Sequence, residues 1–251
     1  MVIPWVIKRQ LTFFAVFLFL IIIIVAIIVI KMTAPTCNDG KQNQDEQSVD
    51  CGGVCKPCVG EIKNLVVAWS KVFKLQDGKF DVAALIDNPN LSAGVLSLKY
   101  KFKLYDENNI LVAIKDGEMF INPAESQLVF ETGIDTGQRV PVRAFIELSD
   151  NIEWKRIEKE KAPLVVSKKQ FSNSPFPMMS VVVDNKSSFG VKDIFVSVVL
   201  YDKNKNAVGV SSSKIDYIGG NSSKEMTFTW PEPFTEEPAG SDVIVGTNLT
   251  Q

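Results

Sequence analysis

The chain has 251 residues, with 27 Lys and Arg against 29 Asp and Glu, no histidine, and a formal net charge of −2. The absence of histidine excludes Ser-His-Asp and Cys-His catalysis and His-ligated metal sites. The balanced charge argues against nucleic acid as a partner. We therefore expect that the protein is not an enzyme. The catalytic alternative is a carboxylate-pair enzyme, which needs two acids about 5–9.5 Å apart in a cleft.

The first predicted element is a transmembrane helix over residues 11–31, after a short N-terminal segment of residues 1–10. Residues 11–30 contain no charged residue, no Gly and no Pro. At about 1.5 Å per residue they match the roughly 30 Å hydrocarbon core of a bilayer. A cleaved signal peptide is the nearest alternative, but its apolar region is usually about 7–15 residues long and a small-residue cleavage site follows it. Here only Ala34 offers such a site, and Pro35 comes directly after it.

The charges that flank this helix predict its orientation. Lys8 and Arg9 precede the helix, and only Lys31 follows it closely. The positive-inside bias then places the N-terminus in the cytoplasm and the later residues outside. We expect a signal-anchored, single-pass protein of the cell membrane whose C-terminal domains are extracytoplasmic.

A disulfide-rich module is predicted over residues 34–60, because all four cysteines fall there: Cys37, Cys51, Cys55 and Cys58. An even number of cysteines outside the membrane predicts two disulfides, and three pairings are open. A zinc site is the alternative, but only Cys55 and Cys58 have the spacing of a zinc knuckle.

This stretch resembles a cysteine-rich motif of surface proteins of bacteria and related envelopes, C-x-D-G-x2-N-x2-E-x2-V-D-C-G-G-x-C. The spacing agrees throughout, and the matching residues are Cys37, Asp39, Gly40, Asn43, Glu46, Val49, Asp50, Cys51, Gly52, Gly53 and Cys55. The resemblance implies a prokaryotic extracytoplasmic surface protein and implies no reaction. Independently of the motif, Gly52-Gly53 predicts a tight turn with positive φ.

The same module carries a candidate calcium site, formed by Asp39, Asn43, Glu46 and Asp50. Calcium takes about six to eight oxygen ligands, often from one short loop. The site requires that the disulfides fold the loop tightly enough to bring the four side chains together. The alternative is a solvated acidic loop whose Asp and Asn side chains cap turns. We expect no other cofactor.

The rest of the chain predicts two tandem copies of one β-rich domain. Residues 96–104 alternate apolar and polar side chains, which is typical of a half-buried strand. Several features then recur at offsets of 96 to 99 residues, which indicates a tandem duplication. The pairs are Leu65-Val66-Val67 with Leu164-Val165-Val166, Phe73 with Phe171, Asp87-Asn88 with Asp184-Asn185, Leu104-Tyr105-Asp106 with Leu200-Tyr201-Asp202, and Phe130 with Phe228.

A period of about 100 residues suits an immunoglobulin-like β-sandwich. We predict sandwich 1 over residues 61–150, a charged connector over 151–162 and sandwich 2 over 163–251, with about seven strands in each. The fourth and fifth strands are expected near 110–115 and 118–122, and near 207–211 and 213–218. Trp154 and Ile157 are expected at the interdomain joint. The predicted fold class is mainly β, with two tandem immunoglobulin-like β-sandwiches and one N-terminal transmembrane helix.

The two copies resemble the FxLYD family of β-sandwich domains. The segment Phe102-Lys103-Leu104-Tyr105-Asp106 fits the naming motif, whereas Val198-Val199-Leu200-Tyr201-Asp202 has Val in place of Phe. The resemblance covers residues 64–150 and 163–250. It implies an immunoglobulin-like sandwich on a cell envelope and carries no catalytic residue.

These features predict a binding protein rather than a catalyst. We expect a non-catalytic, single-pass envelope protein that presents two sandwiches for binding a protein or a cell-envelope polymer. The alternatives are a structural subunit of a membrane complex and a calcium-dependent adhesion module. Two segments rich in Pro and aromatic residues, 174–178 and 230–234, are candidate binding tips; their alternative role is as stiff crossovers whose aromatics pack in the core.

Overall fold

The computed structural model describes residues 4–33, 37, 39–43, 45–55, 58 and 62–250. The chain divides into two compact units, Met1–Cys58 and Val59–Gln251. In the first unit the helix α1 spans Trp5–Thr33. Its segment Ile7–Val29 is, within the described residues, the one helix long and apolar enough to cross a membrane. This confirms the predicted apolar helix, whose exposed side chains suit lipid because a helix satisfies its own backbone groups.

The second unit consists of antiparallel strands. Their bounds are β1 Val66–Gln76, β2 Lys79–Asp87, β3 Ala93–Tyr105, β4 Leu111–Ile121, β5 Ser126–Asp135, β6 Arg143–Leu148, β7 Trp154–Arg156, β8 Leu164–Ser172, β9 Met178–Asn185, β10 Val191–Tyr201, β11 Ala207–Ile218, β12 Ser223–Thr229 and β13 Gly240–Gly246. Sandwich 1 pairs sheet β1-β2-β5 with sheet β4-β3-β6, and β7 adds to β3. Sandwich 2 pairs sheet β8-β9-β12 with sheet β11-β10-β13. The predicted mainly β fold class is confirmed.

The strand count differs from the prediction at one place in each repeat. The predicted fourth and fifth strands form a single strand, β4 in the first copy and β11 in the second. The apparent break at Gly117 is not a turn, since Gly117 lies opposite Tyr100 in the ladder. A Cβ at position 117 would come within 2.3 Å of the Tyr100 ring. The glycine therefore makes room for the aromatic ring and does not end the strand.

Each sandwich has its own core. In sandwich 1 the alternation along β3 buries Leu98, Phe102 and Leu104, while Lys99, Lys101 and Lys103 lie on the other face. The second core contains fully buried apolar residues of β9 and β10 in the same arrangement: Met179, Val181, Val183, Ile194, Val196, Val198 and Leu200. Burial of one such Leu or Val side chain contributes about 1.5–3 kcal/mol.

The Leu-Tyr-Asp segments form the same turn in both copies. The Asp106 carboxylate accepts the backbone N–H groups of Asn108 and Ile110. The Asp202 carboxylate accepts those of Asn204 and Asn206. In each copy the fourth residue of the turn has positive φ. The recurrence identifies the aspartate as the residue that closes this hairpin.

Two of the predicted repeat pairs are wrong by one residue. Phe73 lies opposite Asp81, while Phe171 lies opposite Met179, so that Phe73 corresponds in register to Ser172. Likewise, the ladder aligns Phe130 with Thr227 and not with Phe228. A shift of one residue moves a side chain to the opposite face of its sheet. Phe171 and Phe228 therefore pack in core 2, whereas Phe73 and Phe130 point away from core 1.

These outward aromatics form the joint between the sandwiches. A third apolar cluster joins the outer face of sheet β1-β2-β5 to the outer face of sheet β11-β10-β13. Its members are Trp69, Phe73, Ala83, Leu85, Leu128 and Phe130 from sandwich 1, and Val199, Tyr201, Ala207, Val210 and Ile244 from sandwich 2. Lys71 Nζ also donates to the Ala207 carbonyl at 2.7 Å. The two sandwiches are thus packed face to face.

The connector contributes to sandwich 1. Trp154 packs against core 1, and β7 pairs with the first residues of β3. The Ile157 N–H donates to the Ser92 carbonyl at 2.8 Å. The expectation that Trp154 and Ile157 pack at the joint is therefore wrong, because two apolar sheet faces already fill that interface.

Candidate functional site

The candidate site is a groove at the border of the two sandwiches. Two adjoining depressions of about 620 and 460 Å³ share Asp193 and Asn248. The walls come from β4, β10, β11, the connector and the residues that follow β13. We call the two depressions together the joint groove. Concave surfaces built between two domains are common ligand sites.

Two aromatic rings, one from each sandwich, line the larger depression of the joint groove. Phe120 of β4 and Phe195 of β10 have ring centroids 5.3 Å apart and planes tilted by 56°. Both side chains are half-buried. Gly246 lies opposite Phe195 in the ladder, and a Cβ there would come within 2.9 Å of the ring. The absence of a side chain at Gly246 therefore leaves room for the Phe195 ring.

The rim of the joint groove is polar and carries both signs of charge. Lys214 Nζ lies 2.6 Å from Asp193 Oδ1. This hydrogen-bonded pair lowers the pKa of the Asp193 carboxyl and raises the pKa of the Lys214 ammonium. Because both groups are largely exposed, the pair adds little to stability. The smaller depression carries the remaining charges, Lys159, Glu160 and Lys192, and the larger one carries the hydroxyls of Ser212 and Ser213.

One wall of the groove is held in place by Asn122, which is 1% exposed. Its Nδ2 donates to the Thr247 carbonyl at 2.9 Å, and its Oδ1 accepts the Leu249 N–H at 3.0 Å. Leu249 is itself buried. These bonds hold the residues after β13 against sandwich 1. The equivalent side chains Asn88 and Asn185 donate to the carbonyls of Asn122 and Gly219. Gly219 therefore occupies the position of Asn122 in the second copy, and no sequence motif marks this role of Asn122.

A second cleft, of about 640 Å³, lies on sandwich 2 alone. Solvated side chains of Lys169, Lys203 and Lys205 border it, with Tyr201 at its margin. Burial and the nearby Asp242 raise the pKa of the Tyr201 phenol. Tyr201 belongs to the apolar joint, so its ring has a packing role there. The joint groove is the better candidate because residues of both sandwiches form it.

The four predicted calcium ligands all lie in one folded loop of the first unit. The Asp50 carboxylate accepts the N–H groups of Asp39 and Gly40. The buried Glu46 carboxylate accepts those of Asn43 and Asp50. The Asp39 carboxylate accepts the Asn43 side-chain amide at 2.8 Å. The carboxylates thus close turns, as the alternative to calcium binding expects, and calcium binding at these residues stays a prediction.

The four cysteines form the disulfides Cys37–Cys55 and Cys51–Cys58. Cys37, Cys55 and Glu46 offer a close group of potential ligand atoms. A disulfide sulfur is not a thiolate, however, and zinc binds the thiolate. The zinc alternative therefore does not fit these residues. The predicted turn is confirmed, since Gly52 and Gly53 both have positive φ.

Of the two aromatic-rich segments, 230–234 packs in core 2, whereas 174–178 is mostly exposed. Trp230 and Phe234 pack on each other and on Phe171. Trp230 Nε1 donates to the Val210 carbonyl at 3.1 Å. Phe176 of the other segment is exposed. The segment 230–234 therefore stiffens a crossover, and within these two segments Phe176 is the aromatic ring that is exposed to solvent.

Comparison with known proteins gives no family. No family model and no curated protein matches this chain. Among solved structures, a red sea bream transglutaminase aligns at 11% identity with a TM-score of 0.25, over 74% of this chain and 29% of its own. This chain thus spans less than a third of that protein. At this TM-score the alignment supports neither a shared fold nor a shared activity.

Proposed function

We propose that this protein is a non-catalytic, membrane-anchored binding protein that holds an extended envelope polysaccharide in its joint groove. The apolar helix suggests a membrane anchor or a signal, and the two disulfides suggest an extracytoplasmic body. We propose an uncleaved anchor with the N-terminus in the cytoplasm. We also propose that the sandwiches are FxLYD-type domains, because the Leu-Tyr-Asp turn recurs in the same geometry.

The observation that carries the proposal is the pair of aromatic rings in the larger depression, where polar side chains line the same surface. A sugar ring has an apolar C–H face that packs on an aromatic ring, and hydroxyl groups around its edge that bond to polar side chains. Phe120 and Phe195 supply the aromatic surface. Ser212, Ser213 and Asn248 supply donors and acceptors beside it.

The charge and shape of the groove favour a neutral, elongated ligand. The rim contains three lysines and two acids, and Asp193 and Lys214 largely neutralise each other. A strongly anionic or cationic polymer would therefore gain little electrostatic attraction from the rim. Two depressions that share Asp193 and Asn248 fit successive sugar units of a chain better than one compact molecule.

The test is binding of the full chain, in detergent, to immobilised neutral polysaccharides and to peptidoglycan fragments. The parent chain should bind one member of this panel. Phe195→Ala should weaken that binding at least tenfold, because it removes one of the two rings. Phe176→Ala is the matched control, since Phe176 is an exposed aromatic away from the groove, and it should bind like the parent. Binding unaffected by Phe195→Ala, or no binding to any member, would overturn the proposal.

A further inference from the structure

A second surface, the outer face of sheet β4-β3-β6, combines apolar and charged residues. The ladder places Lys103 between Ile114 and Phe145, and Tyr105 between Leu111 and Arg143. Phe145 is 56% exposed, Ile114 48% and Leu111 43%. The Tyr105 and Phe145 rings meet edge to face at 5.7 Å. These four side chains, Tyr105, Leu111, Ile114 and Phe145, form one exposed apolar cluster, which we call the Phe145 face.

The corresponding face of the second repeat is the one that packs against sandwich 1. By register, Tyr105, Leu111 and Ile114 correspond to Tyr201, Ala207 and Val210. All three residues of the second repeat belong to the apolar joint. This fold therefore already uses that sheet face once for face-to-face docking. The first copy has the same face, and it is exposed in the described body.

From this we propose that the Phe145 face is the contact between two copies of this chain, related by a twofold axis. The charges on the face favour a second copy over a foreign partner. Lys99, Lys101 and Lys103 run along the central strand. Acids flank them, with Asp116 3.5 Å from Lys101, Glu147 in contact with Lys103, and Glu118 opposite Lys99. With Arg143 opposite Tyr105, the face carries four cations against these three acids. Its charge is thus nearly balanced, and a twofold contact can set the cations of one copy against the acids of the other.

Copies of the chain could in principle stack head to tail, with the Phe145 face of one copy on the outer sheet of sandwich 2 of the next. The residues of that outer sheet disfavour such stacking. Sheet β8-β9-β12 corresponds to the apolar docking face of sandwich 1. There Trp69, Leu128 and Phe130 are replaced in register by Lys168, Glu225 and Thr227. Such polar side chains end the stacking, as the polar outer faces of terminal repeats do in solenoids. A closed dimer is therefore favoured over an open chain of copies.

The size of the face predicts a weak contact that a membrane strengthens. Seven residues of β3 across three strands cover about 23 Å by about 14 Å, or about 320 Å² on each copy. This is less than half of the roughly 800 Å² per partner in a standard stable interface. Two copies anchored in one bilayer meet at a high effective concentration. The dimer should then be weak in dilute detergent and prevalent in lipid vesicles.

The experiment uses the full chain in lipid vesicles, with the photo-crosslinking residue p-benzoylphenylalanine in place of Phe145. Illumination should give a covalent dimer, and mass spectrometry should locate the crosslink on the same face of the second copy. In the same vesicles, energy transfer between labelled copies should fall at least tenfold for Phe145→Asp. Val165→Asp is the matched control, because Val165 is an exposed residue of β8, and it should leave the transfer unchanged.

The alternative outcomes are distinct. Absence of both crosslink and energy transfer would overturn the dimer. A crosslink to another membrane protein in native membranes, with none between copies, would assign the face to a foreign partner. Energy transfer lost by Val165→Asp but kept by Phe145→Asp would show that sheet β8-β9-β12 is the contact. Thermal unfolding of both variants should match the parent, since both residues are exposed.

Discussion

If apolar packing holds the two sandwiches together, a charge introduced into the joint should separate them. Val199 is 1% exposed and lies in the joint, and its counterpart in the first repeat is the half-buried Lys103, which pairs with Glu147. Val199→Lys removes about 2 kcal/mol of apolar burial. It also places an ammonium group where desolvation costs several kcal/mol. That total approaches the whole stability of an ordinary domain, so we expect the joint to open rather than hold the charge.

Urea unfolding of the full chain in detergent measures this effect. Trp69 lies in the joint, so that tryptophan fluorescence reports its opening. Val199→Lys should lower the free energy of unfolding by at least about 3 kcal/mol and raise hydrogen exchange in β1, β2 and β5. Thr227→Lys is the control, because it adds the same charge to an exposed position, and surface changes usually stay within about 0.5 kcal/mol. An unchanged midpoint with native exchange in these strands would refute an apolar joint.

Four further predictions concern side chains outside the joint. Hydrogen bonds from Lys186 and two serines hold the pKa of Asp184 at about 2; its contribution to stability is present above about pH 4 and is lost as the pH falls through 2. Asp184→Asn should make the melting temperature depend less on pH over that window. If the melting temperature falls with pH as steeply as in the parent chain, the prediction is contradicted. The Tyr100 hydroxyl donates a hydrogen bond to the Glu131 carboxylate at 2.7 Å. Tyr100→Phe should therefore lower the free energy of unfolding by about 1–2 kcal/mol. If chemical denaturation gives the same free energy for the variant and the parent, this hydrogen bond does not stabilise the fold. Burial raises the pKa of the Tyr100 phenol, and its absorbance change at 295 nm should therefore appear above the ordinary phenol range. If the disulfide module binds calcium, calorimetric titration should give a saturable heat that Asp50→Asn abolishes. No heat at millimolar calcium would mean that the module acts as a disulfide-bonded spacer.

The sequence predicted the elements well wherever local periodicity decides the structure. The apolar run of α1 and the alternation along β3 each depend on neighbours a few residues apart. The Leu-Tyr-Asp turns were also predictable, because one aspartate side chain closes each hairpin with backbone groups of the next four residues.

The joint and its groove were not predictable in the same way. Phe73 and Phe171 look equivalent along the chain, yet one residue of register places them on opposite faces. The continuous β4 was divided at Gly117, whose purpose depends on a ring in the neighbouring strand. Asn122 acts on residues more than 120 positions later. Such long-range contacts leave no local pattern in a single sequence.

The most direct test of the proposed function is hydrogen exchange of the full chain with and without the polysaccharide that it binds. Hydrogen exchange should become slower only in the groove, around Phe120, in residues 192–195 and 212–214, and in residues 247–249. Protection on another face, or none at saturating polysaccharide, would contradict the claim that the joint groove is the binding site.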